Sequence, residues 1–101
     1  MAISDVQLKG SWYAIFDGSK KTKELSSSTV GELCGHASEI IVFKKGSWYG
    51  VYDETGKKLK ELSVSTVGDF RSVSGRNILF QKGNWIETYD ISGKKLDSRP
   101  S

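Results

Sequence analysis

KGSWYGVYD, residues 45–53, decides the fold, because the chain writes this stretch more than once. KGSWYAIFD stands at 9–17 and KGNWIETYD at 82–90. Trp12, Trp48 and Trp85 are therefore 36 and 37 residues apart. A fixed period of this size marks one supersecondary unit, copied and stacked. Residues repeated in this way are explained first by the scaffold and only then by a site.

The similarity extends outward from the motif. Nine of eighteen positions are identical between 45–62 and 82–99, and eleven of seventeen between 9–25 and 45–62 after one deletion. The deletion lies where DGSKK (17–21) stands against DETGKK (53–58), a turn, where changes of length are best tolerated. SSSTVGEL (26–33) parallels SVSTVGDF (63–70). Upstream, ISDVQL (3–8) is a weak counterpart of EIIVF (39–43) and RNILF (76–80), and nothing after Leu96 continues the spacer. The expected organisation is one domain over 1–101, with units of roughly 3–34, 39–71 and 76–101.

Within a unit the periodicity is that of strands. Glu39–Lys44 is a short β-branched apolar run, read as a strand covered on both faces. KKGS (44–47) is a tight turn, and WYGVYD (48–53) returns with alternating side chains. On that strand Trp48, Gly50 and Tyr52 share one face, and Tyr49, Val51 and Asp53 the other. Asp53 is placed to accept backbone N–H groups in a second turn with Gly56 at its tight position. KLKELS (58–63) is a third strand, and STVGDFRSVS (65–74) holds a fourth strand or a single helical turn. Unit three repeats the pattern at 77–82, 85–90 and 95–97. No window of eleven or more residues carries a helical stripe. The expected class is all-β, antiparallel and hairpin-connected.

Composition narrows the function classes. The chain has 101 residues, 37% hydrophobic and 11% aromatic, so a few large rings carry much of the core. No apolar run approaches the roughly 20 residues that span a bilayer. MAISDVQLKG has neither a basic start nor a long apolar stretch, so no signal peptide is expected. One cysteine, Cys34, offers no internal disulfide. The expected location is cytoplasmic, without membrane association. Net charge is only +3, but lysines recur at Lys20–Lys21, Lys57–Lys58 and Lys94–Lys95 and at Lys9, Lys44–Lys45 and Lys82. Repeated turns on one rim would make that rim basic.

FKKGSWYGVYDETGKKLKEL (43–62) and FQKGNWIETYDISGKKL (80–96) resemble propeller blades of the tryptophan-aspartate, quinoprotein-like and Trp-Gly repeat kinds. The resemblance implies a propeller-like arrangement. Propellers close with about four to eight blades, whereas three units are present, so two copies of the chain would make a ring of six. A β-trefoil and an open curved meander are the alternative architectures.

Four sets of residues are candidates for chemistry. Trp12, Trp48 and Trp85 are candidate ligand-binding residues, since a flat indole stacks on a sugar face and the repeat would present the pocket several times. The competing reading makes them core anchors, because their face continues with Ala14 and Phe16, Gly50 and Tyr52, and Glu87 and Tyr89; this packing reading is the expected one. Glu87 breaks the small-residue pattern, so that face is expected to be exposed in unit three. Asp17, Asp53 and Asp90 suit local turns better than calcium, which needs several clustered oxygens and no adjacent lysine pair. The lysines and aromatics together could meet nucleic acid, but twelve acidic residues against fifteen basic ones disfavour it. Cys34 and His36 stand outside the repeat; one of each supplies neither a structural zinc site nor a complete catalytic set.

These readings lead to a non-enzymatic β-repeat interaction scaffold, without cofactor or metal, forming a homo-oligomer with the dimer favoured. The alternative is a lectin-like protein binding carbohydrate or another small ligand through the three tryptophans. An enzyme built on Cys34 and His36 ranks last.

Overall fold

The computed structural model describes residues 3–100; Met1, Ala2 and Ser101, at the ends of the expected domain, lie outside the described residues. The fold is all-β, with eleven strands among the described residues in three separate antiparallel sheets. The first sheet joins β1 (Asp5–Lys9), β2 (Trp12–Asp17) and β3 (Lys20–Ser26). The second orders β4 (Glu32–His36), β5 (Ile40–Lys45), β6 (Trp48–Asp53) and β7 (Lys58–Ser63). The third orders β8 (Asp69–Ser74), β9 (Asn77–Lys82), β10 (Trp85–Asp90) and β11 (Lys95–Pro100). Strands follow one another in space as they do in sequence, so every connection within a sheet is a hairpin.

The spacer that sequence left between strand and helical turn contains both. Single helical turns, α1 (Ser27–Val30) and α2 (Val64–Val67), lead into β4 and β8. Each spacer strand joins the sheet that follows it, not the one that precedes it. The entry is fixed by Gly31 and Gly68, with φ of 92° and 89°. A β-carbon at Gly31 would overlap the Lys44 carbonyl, and one at Gly68 the Gln81 carbonyl. Both the left-handed backbone and the missing side chain are therefore required there.

The sheets pack face to face through two interior clusters. Val6, Tyr13, Ile15 and Val30 of the first sheet and its helical turn meet Ile41, Phe43 and Tyr52 of the second. Val42, Tyr49, Val51, Leu62 and Val67 of the second meet Ile78, Phe80 and Tyr89 of the third. The aromatic contacts are copied with the sequence. Tyr13 and Tyr52 flank Phe43 at centroid distances of 5.0 and 5.5 Å; Tyr49 and Tyr89 flank Phe80 at 5.0 and 5.7 Å. Such tilted and edge-on pairs add about 0.5–1.5 kcal/mol each beyond the area they bury. β5 is covered on both sides, as its apolar run requires: Ile40 and Val42 face one cluster, Ile41 and Phe43 the other.

Polar ties reinforce each junction. The Tyr13 hydroxyl accepts the Leu33 N–H at 3.1 Å. Tyr49 donates to the Gly68 carbonyl and accepts from the Phe70 N–H, both at 3.0 Å. The ammonium groups of Lys45 and Lys82 donate to the Thr29 and Thr66 carbonyls of the helical turns. The second-sheet turn that holds Gly56 lies against Lys23 and Leu25, and the third-sheet turn that holds Gly93 lies against Lys60 and Leu62. The shorter turn of the first unit has no sheet before it. Its one-residue deletion therefore disturbs no junction.

Candidate functional site

The three tryptophans occupy one environment in triplicate. Each opens the middle strand after a two-residue hairpin loop, opposite Lys9, Lys45 or Lys82. On the other side stand Ser26, Ser63 and Pro100. Trp12, Trp48 and Trp85 are each 50% exposed. The core-anchor expectation is thereby corrected. The buried ring of the first two copies is the next residue, Tyr13 or Tyr49, which points to the opposite face and carries the junction with the following sheet. Alternation identifies two faces, and both are covered along β6; each indole is exposed because it stands at the hairpin end of its strand, whereas Tyr52 and Tyr89 further along the same face are buried.

A second expectation fails at Glu87. Far from being exposed, it is 8% exposed. Its carboxylate accepts from the Lys95 ammonium at 3.1 Å and more distantly, at 3.4 Å, from the Ser98 and Tyr89 hydroxyls. Burial of a charge demands such partners. Lys95 is held above its ordinary range by the Glu87 hydrogen bond and charge. Burial pushes the Tyr89 phenol up, and the Glu87 charge pushes in the same direction.

Of the three aspartates, Asp53 and Asp90 act as acceptors in their turns, and Asp17 shows no such bond among the described residues. Asp53 Oδ1 accepts the Thr55 N–H and hydroxyl and the Lys57 N–H, at 2.9, 2.6 and 3.0 Å. Asp90 Oδ1 receives the same set from Ser92 and Lys94. Burial works to raise the Asp53 carboxyl, but the bonds from Thr55 and Lys57 outweigh it and the net shift is downward. The Ser92 and Lys94 bonds lower Asp90. These carboxylate lone pairs are committed to local N–H and O–H donors. No group of three or more possible metal-ligating side chains occurs among the described residues.

The lysines of the outer strands are partly neutralised. Lys21, Lys58 and Lys95 pair with Glu24, Glu61 and Glu87 at 3.3, 3.1 and 3.1 Å. The rim is thus striped with both signs rather than uniformly basic. The first two pairs, exposed on both sides, are worth about 0–1 kcal/mol each.

Cys34 packs with the cluster between the second and third sheets. Burial pushes its thiol up; the Lys44 charge opposes this and the Glu32 charge adds to it. A raised thiol pKa is opposite to what a thiolate nucleophile needs. His36 Nδ1 is buried without a hydrogen-bond partner among the described residues. Shallow depressions dent the surface. One of about 180 Å³ is lined by Glu39, Ile40, Asp53, Glu54, Leu59, Arg76 and Ile91; an open one of about 370 Å³ is lined by Gly31, Glu32, Lys44, Lys45 and Gly46. Neither of these includes a tryptophan.

No helix is long and apolar enough to cross a membrane among the described residues. No protein-family model matches the chain, and neither a curated protein nor a solved structure matches it.

Proposed function

We propose that this protein is a non-enzymatic β-repeat interaction scaffold whose contact surface is the row Trp12, Trp48 and Trp85. One observation carries the reading: three indoles in a chain with little apolar area stand half-exposed at the same repeat position. A core needing every ring would have buried them. Exposed Trp is also the residue type most enriched at the energetic centres of binding surfaces. The neighbouring Lys and Ser side chains supply cations and hydroxyls beside two of the indoles. In the fold we infer propeller-like blades, in which β4 and β8, the first strands of their sheets, approach each other most closely. The location proposed is cytoplasmic, on the strength of the free Cys34.

The test uses Trp→Leu variants, made singly and together. Leucine keeps an apolar stem over the strand and removes the flat ring. Wild-type and triple-variant protein are immobilised and compared for capture from a cell extract. Capture lost in a folded triple variant supports the scaffold reading; equal capture overturns it.

The exposed indoles also favour the lectin-like reading. Titration with neutral oligosaccharides, followed by indole emission, tests it directly. A saturable change that disappears in the folded triple variant supports that reading, and no change rejects it.

A homodimer closing a ring of six would press the outer face of the first sheet against that of the third. Those faces carry Asp5 and Gln7 beside Phe16, and Thr88 and Arg99 beside Leu79 and Ile86, where the equivalent junction positions are all apolar or aromatic. Polar outer faces are the mark of terminal repeats that end a stack, which favours a monomer. Light scattering at micromolar concentration decides: a dimer mass would restore ring closure.

A further inference from the structure

The first sheet has three strands where its two copies have four. β1 is the counterpart of β5 and β9, since Lys9, Lys45 and Lys82 each face the tryptophan of the next strand. On its other edge β5 takes β4, with Glu32 opposite Lys44 and Leu33 opposite Phe43. β9 takes β8 in the same register, with Asp69 opposite Gln81 and Phe70 opposite Phe80. A bulge follows at the same place in both, between Leu33 and Gly35 and between Phe70 and Ser72. The corresponding edge of β1 carries no strand among the described residues.

That edge differs chemically from the edge at the opposite side of each sheet. β3, β7 and β11 carry lysines together with Glu24, Glu61, or Asp97, Arg99 and Pro100. Charged residues and proline are how an edge strand resists pairing. β1 keeps its charges at its ends and places Val6, Gln7 and Leu8 between them, with Leu8 58% exposed. The two-residue loop makes Lys9 and Trp12 a hydrogen-bonded pair, so Lys9, Gln7 and Asp5 turn their amides to β2. Val6 and Leu8 turn theirs outward. The Val6 N–H meets Asp5 Oδ1 at 2.9 Å, and Asp5 Oδ2 holds the Gln7 amide at 2.8 Å.

We propose that the β1 edge accepts one extended segment of another polypeptide, added antiparallel where β4 and β8 sit in the copies. Only a lone strand fits. The second sheet packs on the first and extends one strand further, so two β1 edges pairing with each other would drive their overhanging β4 strands together. The preferred segment follows from what surrounds the vacancy. It has a large apolar residue over Leu8 and a small one opposite Val6. In the copies the latter position is Gly35 or Ser72, and a β-carbon on Gly35 would come to 2.9 Å from the Phe70 ring. Leu33 holds the place of Phe70 beside the open position. This surface is separate from the tryptophan rim and independent of the function proposed for it.

The probe is a fluorescein-labelled synthetic peptide with the sequence of residues 64–74, VSTVGDFRSVS, titrated with the intact protein by anisotropy. A second peptide carries Asp69→Leu, which sets an apolar side chain over Leu8. Saturable binding is expected, tighter by several-fold for the Asp69→Leu peptide. Leu8→Pro in the protein removes one outward donor without touching the β1–β2 ladder and should weaken binding at least tenfold. Asp5→Ala, which frees the Val6 N–H, should strengthen it. Hydrogen exchange at the Leu8 amide of the wild type is the independent reading, with protection expected only when peptide is bound. No saturable binding up to about 1 mM, a free energy near −4 kcal/mol, overturns the proposal. So does binding that leaves Leu8 exchange unchanged.

Discussion

The junction between the second and third sheets and the two outer faces of the stack use the same repeat positions with different residues. Where a neighbouring sheet exists, the incoming face carries Ile41, Phe43 and Tyr52, or Ile78, Phe80 and Tyr89. On the outer face of the first sheet the same positions hold Asp5, Gln7 and Phe16. The opposite face carries Val42, Tyr49, Val51 and Leu62 inside the stack, but Leu79, Ile86, Thr88 and Arg99 at its far end. All of these positions are strand in every copy. Backbone conformation therefore does not choose the side chain; the presence of a neighbour does. At these positions polar residues appear only where no neighbouring sheet excludes water.

The sharpest way to break this comparison is to truncate equivalent side chains. Phe80→Ala should cost about 3–5 kcal/mol, because it leaves a cavity among Tyr49, Phe70 and Tyr89. Gln7→Ala, its end-face counterpart, should stay within about 0.5 kcal/mol. Denaturant melts of both variants measure the gap; equal losses would mean that the outer face is not free.

Next in size is Gly68→Ala, expected to cost about 2–3 kcal/mol from the left-handed backbone and the approach to the Gln81 carbonyl. Gly75→Ala, also at positive φ but facing open space, should cost about 1 kcal/mol. Comparing their thermal midpoints separates close approach from backbone strain.

Tyr49→Phe keeps the ring and removes the two hydrogen bonds that tie α2 and β8 to the second sheet, at about 1–3 kcal/mol. Ile86 is the third-sheet counterpart and faces no further unit, so Ile86→Val should cost less than about 1 kcal/mol. Amide exchange at Phe70 should accelerate in Tyr49→Phe alone.

The smallest effect is the pH dependence of the turns. Asp53 and Asp90 ionise below their unfolded values in the native state. Their contribution is therefore present above the ordinary carboxylate range, about pH 4, and is lost as pH falls through the lower native values. The difference in melting temperature between wild type and Asp53→Asn should shrink as pH drops below about 4. A difference that persists at the lowest pH would show that the carboxylate charge is not what matters.

Much of the fold was legible because repetition reports geometry. The spacing of Trp12, Trp48 and Trp85, the alternation along WYGVYD and the placement of Asp53 and Gly56 gave strands, hairpins and turns at their observed positions. The candidate site was legible only in part. The three tryptophans were identified as equivalent, but their exposure was misjudged, since alternation assigns a residue to a face without saying how far along the strand the neighbouring sheet covers it. Glu87 misled for a related reason. A carboxylate in a strand reads as exposed until Lys95, eight residues on, is brought against it.

The amino-acid sequence alone determined the unit, its strands and its turns, because these depend on residues a few positions apart and on the φ values that glycine permits. Tertiary structure alone decided that Tyr13 and Tyr49, not the tryptophans, bind one unit to the next. It also decided that each spacer strand joins the following sheet and that β1 has no partner on its second edge among the described residues. These facts depend on which surfaces meet, and water is expelled only where two sheets come together.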